Sequence, residues 1–593
     1  MSLRLLRTSL PSSRLWSSLR PQSVRSFRST AQTYPPPPRR PVSTLFLATG
    51  AALTATVAFT YSQSPLHADA PPDDKDGRSP RQPTPLSSLI RSYVVYTVCS
   101  IPGLVDLSPA VLSTCLSIPV LKHVTEAIVR VTFFDQFVGG DTAHETLPVL
   151  KDLRAENKGC LFAYSVEVDE AEAGGGSKAG EKQPVHKRIV QEMIRCIDVA
   201  ADFEDGYSKD KGRRTWVAIK LTALLPNASS LLALSKHIID TRPELPVPIA
   251  FPGKPRSTDL DVLHKPQTAT TLTQQDLDDL KELHDDLIRI CTRAQERGVK
   301  VIIDAEHSWY QPAIDAFGLA LMRKFNKIPI ARDAPAIQPL VYVTFQAYLR
   351  RNKNYLLESF ADAKADGYAL GVKLVRGAYH PYETKSHETR NSAKSRSLSI
   401  SPDELPPVWP TKPETDACYN ECIQIILDEV AKDLSIAPPK GSSSSFFRLF
   451  GGKTSQDTPK AKAKSPAVGV LFGSHNWDSV RLILDSLVEK RLANVVGIAE
   501  NDAVIEVGDE VAERVTMAQL YGMCDTLTNY IVDRTRSSSP MVLKYVPYGA
   551  LVEVLPYLSR RAIENKSVLG GGGARAERKA AAAGIKARVF GDL

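Results

Sequence analysis

The first 68 residues contain no lysine and no acidic side chain, and the first carboxylate in the chain is Asp69. Eight arginines lie in that stretch, so it carries the whole formal net charge of +8 and residues 69–593 sum to zero. A body without excess positive charge has no field to gather polyanions, which excludes nucleic acid as a partner. Cysteine is scarce as well. The eight present form no CxxC pair and no Cys/His ligand spacing, so a reducing compartment, structural thiols and no metal centre are expected. Cys418 and Cys422 stand four apart, which suits one helix face better than a metal site. No Gly-x-Gly-x-x-Gly follows a strand and opens a helix, so a Rossmann cofactor site is not supported. A Ser-His-Asp elbow, an HExxH helix and the kinase signatures are missing too. The glycine-rich stretch within 171–186 lacks the Gly-Lys-Ser/Thr ending of a phosphate loop.

What is there begins with an Arg- and Ser-rich, acid-free N-terminus, the composition of a mitochondrial presequence. A proline run at 35–38 makes a stiff spacer. Residues 45–61 are apolar and uncharged, slightly short of a typical spanning helix, and suit a short membrane anchor or part of the import signal. The expected organisation is presequence 1–68, linker 69–85, N-terminal helical arm 86–158, barrel 159–566 and a loosely held tail 567–593. Low-complexity stretches at 171–186, 386–413 and 435–466 are expected as surface insertions.

From residue 160, short apolar runs alternate with helical sequence, at 160–167, 215–222, 299–306, 340–346, 370–377, 467–475, 514–521 and 542–548. Near-continuous apolar strands imply a parallel sheet buried on both faces. Eight such units predict an α/β fold, a (βα)8 TIM-like barrel with its site at the C-terminal strand ends.

Charge at those ends marks the candidate site. Lys220 and Thr222 end the second strand, Asp304 and Glu306 the third, Lys373 lies on the fifth ahead of Arg376-Gly377-Ala378-Tyr379, and His475 ends the sixth. Buried charges need partners or a ligand, so a mutual salt-bridge network stands as the alternative to a site. After the eighth strand, Tyr557, Arg560, Arg561 and Glu564 are spaced to share one helix face, and two guanidinium forks beside a Tyr could hold a small carboxylate. The residues by themselves specify a barrel enzyme with an anionic cofactor or substrate.

The ordered motifs go further. Lys220-Leu221-Thr222, Asp304-Ala305-Glu306, Thr344 to Tyr348, Val375 to Tyr379 and Ser474-His475-Asn476 occur in sequence. They are followed by Leu520-Tyr521-Gly522-Met523, Tyr545-Val546-Pro547-Tyr548-Gly549 and Tyr557 to Asn565. Over roughly residues 86 to 566 this set resembles the proline dehydrogenase family, in its eukaryotic mitochondrial branch. The resemblance implies a distorted (βα)8 barrel carrying FAD, which oxidises proline to Δ1-pyrroline-5-carboxylate and passes electrons to a membrane quinone, ubiquinone, at the matrix side of the inner membrane. It implies that Arg560, Arg561 and Lys220 pair with the proline carboxylate, that Tyr545, Tyr557 and Leu520 wall the ring, and that Glu564 holds the arginine helix. Asp304 matches the family's active-site Asp, and a structural role capping Tyr or Lys neighbours is favoured over that of a base. Ala305, Gln346, Lys373, Arg376, Gly377, Ala378, Ser474 and His475 match flavin contacts, Lys373 standing where many bacterial members have Arg. The rival readings are hydroxyproline oxidation, which the bulk of Tyr557 disfavours, and a catalytically silent membrane-associated barrel.

Overall fold

The protein is described by a computed structural model over residues 84–165, 184–207, 212–243, 245–265, 271–328, 339–390, 397–434, 466–499, 502–567 and 573–590. The expected presequence, the 45–61 segment, nearly all of the linker and most of the 171–186 and 435–466 stretches lie outside the described residues. Among the described residues, no helix is long and apolar enough to cross a membrane.

Eight parallel strands close into a barrel. They are β1 (Gly159–Tyr164), β2 (Thr215–Ile219), β3 (Val301–Ile303), β4 (Val341–Gln346), β5 (Leu370–Val375) and β6 (Val468–Gly473), with β9 (Val515–Leu520) and β11 (Val542–Tyr548). Each falls within, or one residue from, one of the eight apolar runs, and the order around the wall is β1-β11-β9-β6-β5-β4-β3-β2. Helices cover the outside, so both faces of every barrel strand are buried and the runs read as continuous rather than alternating. The interior is packed, not hollow. Leu161, Trp216, Ala218, Ile302, Tyr342, Leu471, Ala518 and Leu543 fill it, with Tyr342 stacked obliquely on Trp216. Tyr342 fits because Gly371 and Gly469 flank it. A methyl group at Gly371 would overlap the Val341 carbonyl oxygen, and one at Gly469 the Tyr342 hydroxyl. The N-terminal end is plugged by charge. The fully buried Arg214 donates to the Pro540 and Ala512 carbonyls and to Ser539 Oγ, and Lys300 Nζ lies 4.8 Å from the centre of the Trp216 ring.

Three findings depart from the sequence expectations. A small sheet, ordered β10-β8-β7, branches off between β6 and β11. It is built from β7 (Asn494–Ala499), β8 (Asp502–Glu506) and β10 (Thr535–Arg536), outside the strand–helix alternation. The 386–413 stretch, expected as a surface insertion, is anchored where it is described. Val408 and Trp409 dock beside β4, the Trp409 N–H donating to the Tyr348 carbonyl at 2.7 Å, because apolar groups within the Ser/Pro-rich run find a buried aromatic floor. The tail likewise contains a helix, Gly573–Phe590, packed against the Leu86–Cys99 helix of the arm. Gly584 lets it approach Leu89 closely, and Arg588 donates to the Thr84 carbonyl. The Ala-rich sequence has high helix propensity, which outweighs the four glycines before it.

The arm itself is helical, with Leu86–Cys99, Pro102–Ser117 and Pro119–Val129 as its main helices. Its Val95, Tyr96, Phe134 and Phe137 share a second core with Val554, Tyr557 and Leu558 of the Leu551–Ser567 helix that carries both candidate arginines. The Phe137–Thr142 stretch ties this core to the barrel. The Gly139 N–H donates to the Pro547 carbonyl, the Gly549 N–H donates to the Gly140 carbonyl, and Arg130 grips Asp141 with two hydrogen bonds of 2.6 and 2.8 Å.

Because the interior is packed around backbone, Gly371→Ala should lower stability by about 2–3 kcal/mol, in the range of overpacked cores. Gly497→Ala, where an added methyl group meets nothing within 4 Å, should change it by under ~0.5 kcal/mol. Urea unfolding midpoints check both; equal midpoints would show that the interior has slack.

Candidate active site

The barrel strands end earlier than the sequence suggests, and this changes where the polar residues point. β2 stops at Ile219 and β3 at Ile303, so Lys220, Thr222, Asp304, Ala305 and Glu306 lie just past the ladders; Ser474 and His475 likewise follow β6. Lys220 and Thr222 therefore do not share a strand face. The backbone turns helical at Leu221, and Thr222 opens a short 3-10 turn. There its N–H donates to Glu306 Oε1 at 3.1 Å and its hydroxyl donates to Glu306 Oε2. Burial pushes the Glu306 carboxyl above the usual carboxylate range, while the Thr222 hydrogen bonds and the nearby Lys220 ammonium oppose the shift.

Asp304 occupies the inward position that continues Ile302, and it joins three strands. Lys373 Nζ from β5 donates to its Oδ1 at 2.5 Å, and the Tyr545 hydroxyl from β11 donates to its Oδ2 at 3.1 Å. All three face the barrel axis, and Lys373 Nζ also lies 5.2 Å from the centre of the Tyr545 ring. Asp304 thus caps both a Lys and a Tyr. Desolvation raises the Tyr545 phenol well above its ordinary range, and the Asp304 charge raises it further, so it stays protonated as a donor.

The arginine helix lies over this group. Arg560 sits 5.6 Å from the centre of the Tyr379 ring, beyond the end of β5, and its charge acts on Tyr545 together with Tyr557. Arg561 is buried, 4.9 Å from the centre of the Tyr557 ring, and its charge acts on His475. Tyr379 joins the site without a role predicted from sequence; an aromatic two residues past a strand-end glycine is the signal that points to it. The side chain of Glu564 lies outside what the structure describes.

The outer flank is organised differently. Arg376 turns away from the axis and stacks on Tyr419, and its Nε, Nη1 and Nη2 donate to Asp416, Ser474 and Ser479 at 2.6, 2.7 and 2.8 Å. Lys373 and Arg376, both expected as flavin contacts, thus point to opposite sides, Lys373 to the axis and Arg376, one residue past β5, to the outer flank. Gly377, at φ 123°, sits against the Tyr348 ring, which an added methyl group would meet at 2.5 Å. Gln346 ends β4 with Nε2 donating to the Glu306 carbonyl, while its buried Oε1 has no hydrogen-bond partner. His475 Nε2 accepts from the Leu520 N–H at 3.0 Å, which places the ring proton on Nδ1. Leu520 and Tyr545 follow the inward alternation of β9 and β11, and Ala378 continues from Gly377 towards Tyr379. Among the described residues, no group of three or more His, Cys, Asp or Glu side chains is placed to hold a metal ion.

The family model for proline dehydrogenase matches residues 175–571, two thirds of the chain. The chain belongs to the proline dehydrogenase family. It is 28% identical over 500 residues to proline dehydrogenase 1, mitochondrial, of Arabidopsis thaliana, covering 82% of this chain and 81% of the relative. It is 28% identical over 509 residues to the probable mitochondrial proline dehydrogenase of Schizosaccharomyces pombe, covering 84% and 87%. Hydroxyproline dehydrogenase of Bos taurus matches at 25% identity, over 85% of this chain and 91% of the relative. Among solved structures, proline utilization A of Bdellovibrio bacteriovorus aligns with a TM-score of 0.49 and 18% identity. The alignment covers 86% of this chain but only 40% of that one.

Burial, with help from the Lys544 and Arg561 charges, pushes the His475 imidazole down to about 3, so it is neutral in the folded protein and titrates near its ordinary ~6.5 when unfolded. With the folded value depressed, the unfolded chain takes up the proton first, and stability falls as pH drops below ~6.5. His475→Gln, which keeps an acceptor for the Leu520 N–H, should therefore lose about 2 kcal/mol less than wild type between pH 7 and pH 5. Parallel denaturation curves at the two pH values measure this, and identical acid losses would contradict the neutral assignment.

Proposed function

We propose that this chain is an FAD-dependent proline dehydrogenase, converting L-proline to Δ1-pyrroline-5-carboxylate, with a membrane quinone as final acceptor. The observation that carries the reading is the inward Asp304–Lys373–Tyr545 group at the C-terminal mouth of the barrel, with the Arg560 charge acting on Tyr545 and that of Arg561 on His475. Cationic forks suit a substrate carboxylate, and a ring wall of Tyr545, Tyr557 and Leu520 suits a small saturated ring. Arg560 and Arg561 would grip the carboxylate, with Lys220 adding a third positive charge. Asp304 would hold Lys373 and the Tyr545 hydroxyl at fixed positions, with Glu564 bracing the arginine helix.

The strand ends also suit a flavin. Gln346 Oε1 is a buried acceptor without a donor, and the isoalloxazine ring offers an N–H of that kind. Ala305, Gln346, Lys373, Arg376, Gly377, Ala378, Ser474 and His475 are the residues that would hold it, Arg376 by pinning the β5 end to Ser474 rather than by contact through its own fork. When bound, FAD supplies the two-electron acceptor for the hydride leaving the ring carbon beside nitrogen. The protein's share is to orient the amino acid and strip its water. The buried bulk of Tyr557 crowds the place a ring hydroxyl would need, which favours proline over hydroxyproline.

The acid-free, Arg-rich leader supports mitochondrial import, with the enzyme at the matrix side of the inner membrane. A reporter fused to residues 1–68 should enter mitochondria and lose its N-terminus, whereas a full-length cytosolic reporter would contradict import. For the site, Arg560→Met and Arg561→Met should each cost on the order of 2–5 kcal/mol of transition-state binding. That is a loss of roughly thirtyfold to several-thousandfold in kcat/KM for proline. Lysine should rescue only in part, because a point charge cannot reproduce the fork. Flavin absorbance should stay near normal. Wild-type kcat/KM in both variants would return this helix to an ordinary structural role.

A further inference from the structure

Lys544 is a buried cation that the proposed chemistry does not use. It sits on β11 beside Tyr545, only 1% exposed, and its strand neighbour β9 ends at Leu520. Its ammonium spends all three donors on one short turn. Nζ donates to the Met523 carbonyl at 2.8 Å, to the Leu520 carbonyl at 3.3 Å and to the Asp525 carboxylate at 2.7 Å.

That turn needs holding. Gly522 has φ 69° and Cys524 φ 52°, so two residues in three lie in the left-handed region, one of them without glycine's freedom. The arm grips it from the other side. The Tyr96 hydroxyl and Gln136 Nε2 both donate to the Gly522 carbonyl, at 2.6 and 2.9 Å, and an added methyl group at Gly522 would collide with the Gln136 carbonyl. The carbonyls of Leu520, Gly522 and Met523 are each satisfied by a side chain from another element. The Leu520 N–H is also committed, to His475 Nε2.

We propose that Lys544 is the positioning residue of the substrate wall: by holding the Leu520 and Met523 carbonyls it aims the Leu520 side chain into the barrel mouth and fixes the ring of His475. The assignment rests on the proposed function, because only a substrate ring at the mouth gives the aim of Leu520 a consequence. A hydrophobic side chain in place of Lys544 would take the ammonium away from the Met523 carbonyl and leave the Leu520 carbonyl the Met523 N–H at 3.3 Å, loosening the turn. Asp525, whose side chain is half exposed, would pass to water at little cost. The other charges facing this group are Arg561 and Arg376 towards His475, and Glu577 and Lys158 towards Lys544.

The test compares Lys544→Met, Lys544→Gln and Lys544→Arg in the full-length, FAD-loaded protein, with proline and 4-hydroxyproline as substrates and a dye acceptor. In Lys544→Met, KM for proline should rise about tenfold or more while kcat changes less than about threefold. The proline-to-hydroxyproline ratio of kcat/KM should fall about fivefold or more, since a loosened wall no longer discriminates by shape. Lys544→Arg, which keeps charge and donors, should restore that ratio to within about threefold, with Lys544→Gln in between. Loss of stability alone would lower active enzyme without moving the ratio. If Lys544→Met does not fold, the Arg and Gln variants are read by the same ratio. An unchanged ratio and KM in the folded variants would overturn the role of Lys544. A wild-type protein whose flavin is not reduced by proline would sink the proposed function instead.

Discussion

A closed parallel barrel leaves an inward-pointing charge nowhere to go. Lys373 projects from β5 towards the axis, where water is excluded, and it can exist there only because Asp304 arrives from the adjoining β3–β4 side to meet it. A buried pair of this kind adds little net stability, but removing one partner strands the other and costs about 3–5 kcal/mol. The same carboxylate takes the Tyr545 hydroxyl from β11, across the mouth. One acceptor therefore sets the relation of β3, β5 and β11, and every other feature of the site is placed relative to it.

Position above the mouth is supplied from outside the barrel. The Leu551–Ser567 helix carries Arg560 and Arg561, but the core that seats it is made largely by the arm, through Val95, Tyr96, Phe134 and Phe137. The Gly139–Gly140 crossing fastens that core to the end of β11, so strand, arm and arginine helix form one unit. A site built in this way is specified by tertiary packing far from the reacting atoms, and the arm is part of its machinery although it bears no chemistry.

Much of this was legible beforehand. Eight strands show as apolar runs because each is buried on both faces, and the charges at their ends stand out against that background. Their exact ends were not legible, since a ladder stops where its hydrogen-bond partners stop, and the extension of β2 through Thr222 missed the helical turn at Leu221. The β7–β8 hairpin is not legible in the same way because Val495, Val496 and Ile498 are exposed, so their apolarity carries no barrel register. Trp409 was hidden in a Ser/Pro-rich stretch whose average composition masks the residue that docks. Arg376 shows the limit most clearly. Three residues on from Lys373 and one beyond β5, it takes the outer side as alternation directs, but its partners Asp416 and Ser479 lie in helices that the motif does not name.

The central claim is that the mouth binds proline against a reducible flavin. The most direct measurement is an anaerobic titration of the FAD-loaded protein with L-proline, following the flavin absorption band and assaying the product. The account predicts bleaching with one Δ1-pyrroline-5-carboxylate formed per flavin reduced, and none with D-proline, whose ring would face away once its carboxylate is clamped. A flavin that stays oxidised under saturating L-proline would contradict it.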